Sequence, residues 1–238
     1  MANLKITRRE WLAGTCGLGL GIALGIATKA PSSRLIGRGP YPRNADEALV
    51  RLKNGNRRFV EDKSLHVHEK ASWRSRLVES QKPFATVLGC SDSRVPPEFI
   101  FDVGFGDLFT IRLAGNIIAE DVIGSLQYAV AHLKTPLVVV LGHEGCGAVT
   151  AAVEEILYKT KELEYIETLV QLIKPGLKEL DLKLDHDTLL STAVEMNVRW
   201  SMQRLSTLPE GERALREKRV MLVGGVYDLV TGRVRFLE

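Results

Sequence analysis

The chain predicts an α/β fold: a mainly parallel central sheet flanked by helices, with an antiparallel edge strand or hairpin near the carboxyl terminus and a helical arm at the start of the body. Three observations carry this. Short apolar runs at 84–89, 108–113, 137–141 and 220–223 have the length of buried strands. Long helical patterns lie between them, and strands separated by helices pair parallel, through right-handed crossovers, with both sheet faces covered. The 238 residues, 45% apolar and 26% charged, have ordinary globular composition and suffice for one sizeable domain.

The segment 1–30 reads as an address. Thr7-Arg8-Arg9-Glu10-Trp11-Leu12 leads into an uncharged run over 11–28 that is crowded with glycine, alanine, leucine and isoleucine. It resembles a bacterial twin-arginine signal, with Trp11 where a phenylalanine is usual. The competing reading is a membrane anchor, because about 18 uncharged residues can just span a bilayer. The glycines and modest hydrophobicity favour the signal, with small residues at Gly25 and Ala27, or at Ala27 and Ala30, as cleavage sites, and Pro31 directly after Ala30 disfavours the second pair. Twin-arginine export machinery is then a partner, the periplasm the address, and a thylakoid lumen or a tethered form the alternatives. Such a route carries folded, metal-loaded proteins. Residues 31–43, with Pro31, Pro40 and Pro42, read as a linker, and the catalytic body spans 44–238.

Within the body, Ala45, Ala48, Leu49, Leu52, Phe59 and Val60 mark an amphipathic helix that Asn44 or Asp46 can cap, with Gly55 weakening its middle. Further helices are predicted at 121–132, 148–158, 162–172 and 188–205. The segment 227–236, broken by Thr231-Gly232, predicts an antiparallel edge hairpin.

Charge excludes one broad class of partner. The formal net charge is +3, and the segment 1–30 supplies it all, with Lys5, Arg8, Arg9 and Lys29 against Glu10. The remainder balances, so no basic stripe points to nucleic acid. Only three cysteines occur, and Cys16 lies in the apolar segment, which excludes a disulfide framework. Cys90 and Cys146 each sit among other potential metal ligands.

Cys90-Ser91-Asp92-Ser93-Arg94 and His143-Glu144-Gly145-Cys146 together supply one imidazole and two thiols, with a carboxylate and a guanidinium beside them. Cys₂His is an attested catalytic zinc set, leaving a fourth position for water. Cys90 ends the first predicted strand and His143 follows the third, so both fall at carboxyl ends of strands, where open α/β sheets bind ligands. Gly145 and Gly147 allow a tight turn into a helix whose amino end stabilises the Cys146 thiolate. Two thiolates make zinc a weaker acidifier of water than three imidazoles would. Asp92 can accept the proton of a zinc-bound hydroxide in a hydrogen bond, and Arg94 can hold Asp92 through a forked ion pair. Two alternatives stay open: a buried core thiol at Cys90, and a closed structural zinc with Asp92 as fourth ligand. A phosphatase loop does not fit, since too few residues separate Cys90 from Arg94.

These residues resemble a β-class carbonic anhydrase. The similar segments are GNRRFV from Gly55, QKPFATVLGCSDSRVPPE from Gln81, GDLFTIRLAGN from Gly106, SLQYAVAHL from Ser125 and GHEGCGAV from Gly142. The resemblance runs from about Asn44 to the carboxyl terminus. It implies reversible hydration of carbon dioxide to bicarbonate and a proton on one Zn²⁺ per chain, within a homodimer or higher homo-oligomer. Cys90, His143 and Cys146 match the family's zinc ligands. Asp92 and Arg94 match its dyad, in which a closed state releases Asp92 to become the fourth ligand, so Asp92 is expected in both roles. Gln81, Phe109 and Tyr128 match an amide and aromatic walls along the substrate pocket, often across the dimer interface. A subgroup inhibited by bicarbonate carries tryptophan three residues before the first cysteine. Val87 stands there in this chain, so that regulatory site is not expected, although Gly89 is of the subgroup's type.

Two other functions compete: hydrolysis of carbon disulfide or carbonyl sulfide on the same site, and a catalytically silent zinc or bicarbonate binder. The intact Asp92–Arg94 pair argues against the second. His66, His68, His132 and His186 read as solvent-facing residues, and the run 159–167 as a solvated helix face.

Overall fold

The computed structural model describes residues 41–237. The signal-like segment and the linker up to residue 40 lie outside the described residues. The sheet has five strands: β1 (Ala85–Gly89), β2 (Leu108–Arg112), β3 (Leu137–His143), β4 (Met221–Tyr227) and β5 (Val234–Leu237). Their order is β2-β1-β3-β4-β5, with only β4 and β5 antiparallel. Every residue of β1 and β3 is buried. That explains their unbroken apolar runs, because a parallel strand covered on both faces has no polar side.

The helices are α1 (Ala45–Val60), α2 (Ala71–Arg74), α3 (Pro97–Ile100), α4 (Glu120–Tyr128), α5 (Gly147–Tyr158), α6 (Glu164–Ile173), α7 (His186–Thr207) and α8 (Pro209–Arg216). Asn44 caps α1 through its side-chain oxygen, which accepts from the Glu47 N–H at 2.9 Å. A π-helical turn at Ala129–Leu133 extends α4. The run 159–167 is not one helix face: Lys159 closes α5 in the left-handed region at φ 59°, and α6 starts only at Glu164. There Lys161 and Lys174 reach the Glu155 carboxylate at 3.3 and 2.7 Å.

Two glycines serve close packing. Gly55, which weakens α1 as an isolated helix, lies so near the chain after α3 that a Cβ would fall 1.8 Å from the Phe101 carbonyl oxygen. Gly55→Ala is therefore expected to lower stability by about 1–3 kcal/mol, the usual range for overpacking, as a lower urea midpoint. At Gly224 a Cβ would meet Met202 Sδ at 2.6 Å and Val198 at 3.0 Å, so α7 lies close against β4. Gly224 and Gly225 also interrupt the apolar run in sequence. The predicted hairpin is accordingly shifted: residues 224–227, the second half of β4 itself, form the arm that pairs with β5.

Candidate metal centre

Three element ends build the site. Cys90 directly follows β1, His143 is the last residue of β3, and Cys146 caps the amino end of α5. Gly145, at φ +64°, makes the turn between the last two. Their ligand atoms all lie within 4.8 Å of one another, and the two sulfurs are 3.9 Å apart. All three residues are buried.

His143 Nδ1 lies 2.9 Å from the Glu144 carbonyl oxygen, which can only accept, so Nδ1 carries the proton. Nε2 then presents a lone pair, and it is buried without a hydrogen-bond partner. Such an atom calls for an explanation, and a cation ligated at that position supplies one. The Cys146 thiol bonds to the Cys90 sulfur, which pulls the Cys90 pKa from 9.0 down to about 4 despite burial. The same bond, with burial, pushes Cys146 up. The two thiols thus share a proton that a divalent cation between them would displace. One imidazole nitrogen and two cysteine sulfurs are a donor set that fits zinc.

Beside this cluster, Arg94 Nε and a terminal nitrogen donate to the two Asp92 carboxylate oxygens at 2.9 and 2.6 Å. The Arg94 backbone N–H adds a third bond at 2.9 Å. Arg94 holds the Asp92 carboxyl well below the usual carboxylate range. The guanidinium also reaches the Gly145 carbonyl at 3.4 Å, tying the pair to the ligand turn. Asp92 Oδ2 lies 4.0 Å from His143 Nε2. Of the two roles expected for Asp92, this arrangement is the one paired with Arg94, at the rim of the cluster.

A family model for carbonic anhydrase matches residues 85–234, which contain the whole cluster and the dyad. The chain belongs to the carbonic anhydrase family. It is 38% identical to carbonic anhydrase 2 of Mycobacterium tuberculosis over 194 residues, covering 80% of this chain and 91% of that protein. Identity to the carbonic anhydrase of Mycolicibacterium smegmatis is 37% over 199 residues, covering 80% and 92%. Among solved structures, one of the tetrameric β-carbonic anhydrases of Sordaria macrospora superposes with a TM-score of 0.64 at 27% identity, covering 77% of this chain and 93% of that one. The fold is that of the β class.

Three other residues expected at the site lie on β2, at the end of α4 and in the loop before β1. Phe109 on β2 and Tyr128 at the end of α4 face each other with ring centroids 6.1 Å apart, and Tyr128 is 46% exposed. Gln81 is exposed in the loop before β1. Among the described residues, none of the three has a hydrogen bond or ring contact with Cys90, His143 or Cys146.

Sequence reasoning missed Arg112, the last residue of β2. Its guanidinium donates to the Cys90 carbonyl at 2.8 Å and to the Asp92 carbonyl at 2.6 Å, holding the loop that carries both a ligand and the dyad. A charged side chain at the end of an apolar strand was the available signal. His68 corrects another expectation: it is buried, bonded to Asp107 at 2.8 Å and stacked on Trp73 at 3.8 Å. Its left-handed backbone, at φ 63°, turns it inward, and Gly104 leaves room for it, since a Cβ there would fall 2.8 Å from the His68 Cβ. His66, His132 and His186 are exposed, as expected.

Proposed function

We propose that this carbonic anhydrase interconverts carbon dioxide and bicarbonate with about one zinc per chain, held by Cys90, His143 and Cys146. One observation carries the reading. A buried, unpartnered imidazole nitrogen meets two cysteine sulfurs within 4.8 Å, beside an arginine-held carboxylate. When bound, zinc supplies the Lewis acidity that brings the pKa of water from 15.7 toward about 7.

The chain's own residues do the rest. The Arg94 backbone N–H and Nε both donate to Asp92 Oδ1 and a terminal nitrogen donates to Oδ2, which leaves a lone pair on Oδ2 free to accept a further hydrogen bond. Asp92 is held so acidic that it is a poor proton sink and a good acceptor, so its role is to orient the attacking water rather than to deprotonate it. The proton leaves to buffer. Arg112 keeps the Cys90–Asp92 loop in register while this happens.

Phe109 and Tyr128 suit an apolar wall for a linear, nonpolar substrate, with Gln81 as its amide. That none of the three has a hydrogen bond or ring contact with the cluster within one chain supports a pocket completed by a second copy. The Sordaria relatives are tetrameric, and a homo-oligomer is the assembly we propose here. The Thr7-Arg8-Arg9 segment supports twin-arginine export to the periplasm.

Stopped-flow hydration of carbon dioxide, run beside hydrolysis of carbonyl sulfide and carbon disulfide on the same preparation, tests the substrate. Carbon dioxide is expected to dominate. Preference for either sulfur compound would overturn the assignment.

A further inference from the structure

The face of α7 turned to the core carries Leu189, Ala193, Val194, Val198 and Leu205, and among them stand two polar residues, Asn197 and Ser201, each 1% exposed. Packing alone asks for apolar side chains at such positions, so each buried polar group needs a partner. Asn197 Nδ2 donates to the Gly115 carbonyl at 2.8 Å, Ser201 Oγ to the Asn116 carbonyl at 3.2 Å, and Arg204 to the Ile118 carbonyl at 3.0 Å. Positions 197, 201 and 204 share one helical face. Together they form a ladder of donors along the segment 115–118.

That segment does not hold its own shape. Gly115 and Asn116 are both left-handed, at φ 69° and 43°, a pair of conformations that no regular helix or strand supports. Gly115 is also pressed between α5 and the end of α6, where a Cβ would fall 3.1 Å from Ala148 and 2.8 Å from Ile173. On its other side, the Gly115 N–H donates to Cys90 Sγ at 3.3 Å. The residue whose carbonyl Asn197 grips is the residue whose N–H touches a ligand sulfur.

We infer that Asn197 is a positioning residue for the metal centre, acting through Gly115 to fix the N–H that bonds the Cys90 sulfur. The inference rests on the metal reading proposed above. An N–H directed at a thiolate withdraws charge from it, so its placement sets how strongly Cys90 donates to a bound cation. Ser201, one rung further on, grips Asn116 and does not touch the residue that bonds the sulfur. The two side chains therefore differ in function although they share a helix face, a burial and a loop.

The test uses the full chain, loaded with Co²⁺ as a probe, as wild type, Asn197→Leu and Ser201→Ala. Asn197→Leu keeps the branched shape and removes the donor. It is expected to shift the thiolate-to-cobalt charge-transfer band and to weaken Zn²⁺ binding, measured against a competing chelator, by about 10- to 100-fold. Ser201→Ala is expected to lower thermal stability and leave band and affinity unchanged. Asn197→Ser, whose hydroxyl is too short to reach Gly115, provides the same comparison if the leucine variant does not fold. A band and affinity equal to wild type in the Asn197 variant, or an equal shift in Ser201→Ala, would overturn the inference while leaving the metal reading intact. Failure of the wild type to take up cobalt would overturn both.

Discussion

Asp92→Asn is expected to retain zinc and to lose carbon dioxide turnover by about 10²- to 10³-fold, the usual cost of removing one preorganised hydrogen-bond partner of the reacting group. The amide keeps the shape of the carboxylate but offers one acceptor oxygen where Asp92 offers two. Arg94 would take that oxygen, and the water would lose its acceptor. Zinc should stay, because Asp92 is engaged by Arg94 and lies 4.0 Å from His143 Nε2 rather than among the clustered donors. Arg94→Ala should lose most turnover too, for a different reason: it releases a carboxylate at that distance from the metal ligands. Near-normal hydration by a zinc-loaded Arg94→Ala protein would contradict the dyad. The pair also predicts an acid response. Folding depresses the Asp92 pKa below its ordinary 3.8, so the stability it contributes is full above that value and is lost as pH falls through the depressed one. The exposure of Arg94 keeps that contribution small. Asp92→Asn should remove this part of the acid sensitivity, read as thermal midpoint against pH.

His143→Ala carries the second large effect. The imidazole is the one nitrogen donor in the cluster, and its Nε2 has no other partner to account for its burial. Removing it leaves two sulfurs 3.9 Å apart that must share a proton. Zinc affinity should fall by far more than the roughly 10- to 100-fold seen when only an outer partner of a ligand is disturbed. Hydration should fall to the buffer background. The fold should survive, because β3 is paired along its length with β4 and over 138–141 with β1, and loses only a side chain at its last residue. Metal content and circular dichroism of the same sample separate these outcomes.

The parts of this account legible in the sequence are those written in local pattern. Buried parallel strands appear as continuous apolar runs, so β1 and β3 stood out, and with them the strand ends that place Cys90 and His143. Asn44 is a local cap signal and was found where it acts. What pattern could not give depends on chain segments far apart. Gly55 reads as a weak point in a helix until Phe101 is seen against it. Gly224 and Gly225 read as a strand end, although Gly224 lets α7 approach β4. Pro209 and Gly211 look like breakers, which hid α8. In fact Pro209 opens that helix and Gly211 fits against the Leu205 carbonyl, where a Cβ would come within 1.9 Å. Arg112 and Asn197 act through backbone carbonyls of distant loops, and a side chain that grips a carbonyl has no partner visible as a residue type. His68 is turned inward by a backbone angle that the letters around it do not encode.

The most direct test of the central claim is a titration of metal-free protein with zinc, following carbon dioxide hydration by stopped flow on each sample. The rate is expected to rise in proportion to bound zinc and to break at about one equivalent per chain, the stoichiometry of a single Cys₂His site. Full occupancy of that site without hydration at neutral or alkaline pH would contradict it.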